Sequence, residues 1–430
     1  MIQIIEGANE IEKLEKILNR TSMDAEGVLK KVDQIIKDVR ESGDKAVIKY
    51  TQLYDGNMLE DIKVSKEEIE DAKKIISKDL IKAIENAIDN IYKFHRKQIE
   101  NGFIIEQGEG VMLGQIINPI ERIGVYIPGG TASYPSTVMM NVIPANIAGV
   151  KKIIIVTPAD EDGKVKESIL VTADLLGVNE IYKIGGAQAI AALCYGTETI
   201  PKVDKIVGPG NIYVAMAKQK VAGMVGIDMI AGPSEVVILA DETANAKFIA
   251  ADLIAQAEHD TRAASILVTD SKELKDKVLD QLKCQMHTLQ RREIAEKSLA
   301  HYGAIIITKD IKEGKVIVNR LAPEHLEIMT RNPMEDYSDI QNAGAIFLGK
   351  YTPEAVGDYY AGSNHTLPTS RTARFSSALG VYDFIKRTSL VYYSRGALIN
   401  AGPDIISLAK EESLTGHANS IKVRLEEEDV

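Results

Sequence analysis

The chain has 430 residues and a formal charge of −11, with 45% hydrophobic and 26% charged residues, the balance of a soluble globular protein with room for two domains. The acidic excess works against nucleic acid or an anionic membrane as a partner, and no run of about 18 uncharged apolar residues is present to cross a bilayer. Two cysteines, Cys194 and Cys284, stand far apart without a Cys-x-x-Cys partner, and the N-terminus lacks the basic start and apolar core of a signal peptide. Both features fit a reduced cytoplasm, and the cysteine count excludes a thiolate metal cluster.

In chain order, the first hundred residues read as helical. Ser65-Lys66-Glu67-Glu68 forms a capping box, and Ile69, Ala72, Ile76, Ala83, Ala87, Ile91 and Phe94 continue a helical stripe to about residue 97. This segment braces something and carries no visible chemistry. Near residue 123 the pattern changes to short β-branched runs that end in Gly or Pro. Residues 123–127 lead into Pro128-Gly129-Gly130, and 152–157 into Pro158. Residues 180–184 lead into Gly185-Gly186, and 205–207 into Gly208-Pro209-Gly210. Helical patterns follow, as at 187–195 and 211–221. Strands alternating with helices imply a parallel sheet covered on both faces. The rhythm resumes with strands at 236–240, 266–269 and 305–308, so two α/β units are expected, with a boundary near Gly232-Pro233. From about residue 380 the pattern weakens: 381–393 could be a strand pair, before helical material and the acidic end Glu426-Glu427-Glu428-Asp429.

Ligands of open parallel sheets bind at the carboxyl ends of strands, where glycines let backbone amides approach phosphates. The Gly-rich turns at 128–130, 185–188 and 208–211 occupy such ends, although no Gly-x-Gly-x-x-Gly fingerprint is present and each could simply be a tight turn. Only seven histidines occur. In Gln256-Ala257-Glu258-His259 the i, i+3 spacing puts Gln256 and His259 on one helix face, where they could grip one ion; alternatively His259 is a cation at a helix C-terminus. Glu324-His325 follows a helix end at Leu321-Ala322-Pro323. Adjacent residues on an extended segment point oppositely, which favours two separate acid–base groups over one proton-sharing pair if the backbone is irregular at Pro323; an exposed polar turn is the competing reading. Asp358 and His417 could complete an N/O metal site, but no spacing rule links positions so distant. His95, His287, His301 and His365 stand without evident partners, His365 in Gly362-Ser363-Asn364-His365 being the least secure of these dismissals. Cys194 reads as a small core residue, and neither cysteine suits a covalent nucleophile.

Taken together, Val125-Tyr126-Ile127-Pro128-Gly129-Gly130, Gly185-Gly186-Ala187-Gln188-Ala189, Gly208-Pro209-Gly210-Asn211, Ile230-Ala231-Gly232-Pro233-Ser234-Glu235, Ala255-Gln256-Ala257-Glu258-His259-Asp260, Ala322-Pro323-Glu324-His325-Leu326 and Gly357-Asp358-Tyr359 resemble histidinol dehydrogenase over essentially the whole chain. The resemblance implies two Rossmann-like doubly wound α/β domains with a helical N-terminal segment and a small C-terminal dimerisation appendage. The corresponding limits are 1–22 for the arm, 23–125 plus 233–379 for a discontinuous first domain, 126–232 for an NAD-binding domain and 380–430 for the appendage. It implies zinc, one per subunit, on Gln256, His259, Asp358 and His417, and catalytic Glu324 and His325. These six, with Ser234 and Glu412, would also contact the substrate, while Tyr126, Gln188 and Asn211 would contact NAD. The family is an intertwined homodimer, so Glu412 and His417 would complete the partner's site. Its reaction oxidises L-histidinol to L-histidine with two NAD in turn. A sister dehydrogenase of another small polar alcohol is the nearest rival; a zinc hydrolase using Glu324 as base and a catalytically silent scaffold are more distant ones.

Overall fold

The computed structural model describes residues 2–6, 25–56, 59, 61–129 and 133–426. Most of the N-terminal arm, Gly130 and the acidic end beyond Glu426 therefore lie outside the described residues. The chain divides into two compact units, residues 1–98 with 121–383, and residues 99–120 with 384–430.

The first unit holds two parallel sheets. One has six strands in the spatial order Gln3–Glu6, Ala304–Ile307, Ala264–Thr269, Glu235–Ala240, His325–Met329 and Ala345–Leu348. Every residue of strands Glu235–Ala240, Ala264–Thr269 and His325–Met329 is buried, because helices cover both faces. The chain winds outward from Glu235–Ala240 in one direction, then reverses to lay His325–Met329 on its other side. The second sheet has the order Glu180–Tyr182, Lys152–Val156, Arg122–Tyr126, Lys205–Val207 and Gly226–Ile227, and reverses beside Arg122–Tyr126. The doubly wound architecture expected from the strand–helix rhythm is thus present twice.

Several elements depart from expectation. Gln3–Glu6, inside the segment read as helical, is an edge strand paired to Ala304–Ile307; Ile5 is fully buried there, a tertiary gain that local pattern does not announce. The Ser65–Glu68 capping box forms, with Glu68 N–H donating to Ser65 Oγ at 3.1 Å and Ser65 N–H to Glu68 Oε2 at 2.8 Å. The stripe behind it is two helices, Lys66–Ile75 and Lys78–His95, because Ser77 caps a new start by accepting from Leu80 N–H. Helix Ala25–Asp55, kinked at Gly43, places Val32, Ile35, Val39 and Val47 in one core with Ile190, Leu193 and Val214, so it packs on helices of the five-stranded sheet.

In the second unit, strands Ile385–Tyr393, Val111–Pro119 and Phe103–Gly108 form an antiparallel sheet, followed by helices Arg395–Glu411 and Thr415–Leu425. The strand pair anticipated at 381–393 is instead one turn of 3₁₀ helix, Val381–Phe384, and one strand whose partner, Val111–Pro119, comes from far earlier in the chain.

Candidate active site

Two sites form in the first unit, at opposite edges of their sheets. The chemically dense one lies at the amino ends of strands Glu235–Ala240 and His325–Met329, where His325 stands beside Val236. Helix Ile311–Leu321 ends in Ala322, whose φ of 50° turns the chain through Pro323 into the strand. Gly344 N–H donates to Pro323 O at 2.8 Å and Ala345 N–H to Glu324 O at 2.9 Å. A Cβ on Gly344 would sit 2.6 Å from Glu324 O, so only glycine permits this approach. The irregularity lets both adjacent side chains serve one site. Glu324 Oε2 accepts from Glu235 N–H at 2.9 Å and lies 3.7 Å from His325 Nδ1.

Both residues are buried. His325 Nδ1 lies 3.2 Å from Glu235 O and 3.6 Å from Glu354 Oε1, which assigns the proton to Nδ1. Nε2, 3.7 Å from Asp358 Oδ1, has no hydrogen-bond partner among the described residues. Burial alone would depress the imidazole, but Glu354, Glu324 and Asp358 together hold it protonated well above its ordinary range. Burial pushes Glu324 up to about 8, against the attraction of His325. Asp358 is also partly desolvated, yet the nearby imidazole of His325, with the charges of His365 and His259, keeps it below the usual carboxylate range. It sits in a π-helical turn, Gly357–Ala361, a wide coil common where side chains are aimed into sites.

Gln256 closes one wall from the end of helix Ala246–Ala257, where it is fully buried. Its amide nitrogen donates to Glu354 Oε1 and Oε2 at 2.8 and 3.0 Å, and its oxygen accepts from Glu235 N–H at 2.9 Å. His259 follows at the exposed helix end; desolvation of its ring lowers its pKa, against the pull of Asp358. Ser234 is half-buried immediately before the strand. The structure thus gathers Ser234, Gln256, His259, Glu324, His325 and Asp358 around one edge. Glu412 and His417 belong to the second unit, where both are exposed at the end of helix Arg395–Glu411 and on helix Thr415–Leu425.

Two participants escaped the reading of the sequence. Glu354 contacts both Gln256 and His325; its spacing of four from Asp358, which puts two carboxylates on one helical face, was the available signal. His365, set aside for want of a partner, interacts with Asp358, and burial lowers its pKa. Its segment is anchored by buried Asn364, whose Nδ2 donates to Met140 O at 2.7 Å.

The nitrogen and oxygen ligand atoms of His325, Glu354 and Asp358 lie within 4.8 Å of one another, and His325 Nε2 is a buried ligand atom without a hydrogen-bond partner among the described residues. Such an N/O set fits a divalent ion. Asp358 is common to this cluster and to the ligand set the resemblance implied. Behind the site, burial lifts the adjoining carboxyls of Asp252 and Glu327, and Glu327 Oε1 accepts from Glu354 N–H at 2.9 Å, fixing the short helix Glu354–Val356.

The second site is a cleft of about 900 Å³ at the carboxyl ends of the five-stranded sheet, lined by Tyr126, Thr157, Pro158, Gly186, Gln188 and Asn211 among others. Tyr126 OH accepts from Gly186 N–H at 3.1 Å. Asn211 Oδ1 caps helix Ile212–Val221 by accepting from Tyr213 and Val214 N–H at 3.0 and 3.2 Å. Gly208, at φ 107°, would put a Cβ 2.1 Å from Tyr126 O, so the turn and the strand end touch through backbone. The buried pair Lys218–Asp228 holds that turn: Lys218 Nζ donates to Gly208 O at 3.0 Å, and Asp228 Oδ2 accepts from Gly208 N–H at 2.8 Å. Gln188 is buried with both amide atoms unpartnered among the described residues. Backbone amides at glycine turns and an unsatisfied amide in a cleft of this size fit a dinucleotide.

The sequence profile of the histidinol dehydrogenase family matches residues 18–425. The histidinol dehydrogenase of Clostridium acetobutylicum is 54% identical over 426 residues, 99% of either chain, and that of Caldanaerobacter subterraneus subsp. tengcongensis is 52% identical over 428 residues, again 99% of each. The crystal structure of histidinol dehydrogenase from Elizabethkingia anophelis superposes with a TM-score of 0.93 at 42% identity, covering 99% of this chain and 98% of that one.

Proposed function

The chain belongs to the histidinol dehydrogenase family, and from that premise we propose that it carries out the zinc-dependent, NAD-linked four-electron oxidation of L-histidinol to L-histidine through bound L-histidinal, the closing steps of histidine biosynthesis. The observation that carries this reading is the buried imidazole of His325, with Nε2 unpartnered among the described residues and three acidic side chains around it. Its Nδ1 is pinned by Glu235 O and Glu354, so Nε2, in the neutral ring that a bound divalent ion would favour, is the atom that takes the alcohol proton as hydride leaves for the first NAD. Glu324, lifted by burial into the range of exchange near neutrality, takes a proton from the water that adds to the aldehyde. The resulting hydrate yields its hydride to a second NAD, leaving the carboxylate. Gln256, His259 and Asp358, joined by His417, would hold the metal. When bound, zinc supplies a Lewis acid that orients the substrate's nitrogens and opposes positive charge on His325. Tyr126, Gln188 and Asn211 would contact NAD in the cleft, and Ser234 the substrate.

Glu412, whose carboxylate suits the substrate's ammonium, and His417 reach the site of the partner in a homodimer. The second unit supports pairing, since it exposes Phe103, Ile104, Ile105, Val391 and Tyr392, an apolar surface that water disfavours. Free Cys194 and Cys284 accord with residence in the reducing cytoplasm.

The test is NADH formation from L-histidinol and NAD, with and without a chelator, in the His325→Asn and Glu324→Gln variants. His325→Asn should damage alcohol oxidation, while Glu324→Gln should spare it relative to oxidation of supplied histidinal. No NADH from histidinol would defeat the assignment, and equal loss of both steps in both variants would defeat the division of roles.

A further inference from the structure

We propose that Asp55 sets the preference for the non-phosphorylated dinucleotide, by accepting hydrogen bonds from a ribose diol in the cleft of the five-stranded sheet. This deepens the proposed NAD linkage and rests on it. Asp55, the last residue of helix Ala25–Asp55, lines the cleft beside Tyr126, and its Oδ2 is buried with no hydrogen-bond partner among the described residues. A buried carboxylate oxygen without a donor is costly unless a ligand supplies one.

Position alone would have chosen a different acid. In doubly wound sheets the ribose-binding carboxylate ordinarily follows the second strand, which here is Lys152–Val156. Asp160 stands there, but it is committed. Its Oδ1 accepts from Asp162 and Lys164 N–H at 3.1 and 3.0 Å, and its Oδ2 meets Lys166 Nζ at 3.3 Å. Asp160 closes its own turn and neutralises a lysine of the cleft wall. Glu161 and Asp162 also line the wall but are exposed to water, so Asp55 is the wall acid whose buried oxygen lacks a partner among the described residues. A carboxylate offers two acceptor atoms at a spacing that matches vicinal hydroxyls, and a 2′-phosphate in the same place would meet like charge in a partly desolvated setting. Burial raises the Asp55 carboxyl only to about 6, so the group is ionised at neutral pH.

Calorimetric titration with NAD and with NADP tests this on the whole protein, in the wild type, Asp55→Asn and Asp55→Glu. The wild type should prefer NAD. Asp55→Asn should weaken NAD binding about tenfold and narrow the NAD-to-NADP ratio by a similar factor, whereas Asp55→Glu should keep the preference. A melting curve of each variant establishes that the fold is retained. Unchanged NAD affinity and ratio in a folded Asp55→Asn would overturn the role of Asp55 and leave the NAD linkage standing. So would wild-type protein that binds NADP as tightly as NAD, through Lys164 or Lys166. Wild-type protein that binds neither dinucleotide would remove the NAD linkage, and this inference with it.

Discussion

The two parallel sheets of the first unit share a winding scheme but present their candidate sites at opposite edges. On the five-stranded sheet the candidate edge is the carboxyl one, where helices Gly186–Tyr195 and Ile212–Val221 begin and offer amide donors and the positive end of the helix dipole. On the six-stranded sheet it is the amino edge, where helices Ala246–Ala257 and Ile311–Leu321 end with their carbonyls and negative dipole ends, amid five carboxylates or carboxyls at Glu235, Glu324, Glu327, Glu354 and Asp358. The first edge suits an anionic pyrophosphate, and the second suits cations such as a metal or an ammonium. The same architecture thus yields two complementary electrostatic environments, according to which helix ends face the ligand.

If the edges are separate machines, damage should stay on its own side. The largest effect is expected at the proposed catalytic edge, where Glu324→Gln or His325→Asn should cut turnover by about 10²–10⁴-fold while dinucleotide affinity stays within about twofold. A large parallel loss of affinity would show that the two edges act as one. Next is the support of the cofactor edge. Lys218→Met leaves Asp228 buried and unpaired, which should cost about 3–5 kcal/mol in urea unfolding. The same change at Lys73, which pairs with Glu70 and Asp174 at the surface, should shift the urea midpoint far less. Comparable costs would deny the buried pair its role.

The smallest effect concerns Asp55. Its carboxyl is raised by burial from 3.8 to about 6, so the folded state holds the proton more tightly than the unfolded one. No destabilisation arises below pH 4; it grows as pH rises through 6 and is complete above. Asp55→Asn should therefore melt higher than wild type at pH 8, by about 1–2 kcal/mol once solvent screening of a partly exposed group is allowed for, and equal it at pH 4. A variant that lost stability at pH 8 would mean that the carboxylate has a partner in the fold.

Much of this was legible before any tertiary contact was known. The strand–helix rhythm from residue 123, the Ser65 capping box and the Gly-rich strand ends are local signals, and the structure carries each of them. Glu324-His325 was readable as a pair of proton handlers, but not their closeness, because the positive φ at Ala322 and the packing of Gly344 against Glu324 O arise only in the folded chain. Glu354 stayed hidden since a lone glutamate after a proline looks like any helix start. His365 stayed hidden because its approach to Asp358, across the turn that follows Gly357–Ala361, leaves no spacing pattern of its own.

By itself, the sequence determined the kinds of element, the doubly wound class and the family, since backbone periodicity and motif order act over a few residues and survive without knowledge of neighbours. Tertiary structure alone decided which edge of each sheet carries the candidate site, which buried acid oxygen of the cleft lacks a partner among the described residues, and that strand Ile385–Tyr393 pairs with Val111–Pro119. Those outcomes depend on contacts such as that between His325 and Glu235, 90 residues apart, and only closure of the whole chain brings such groups within hydrogen-bond range.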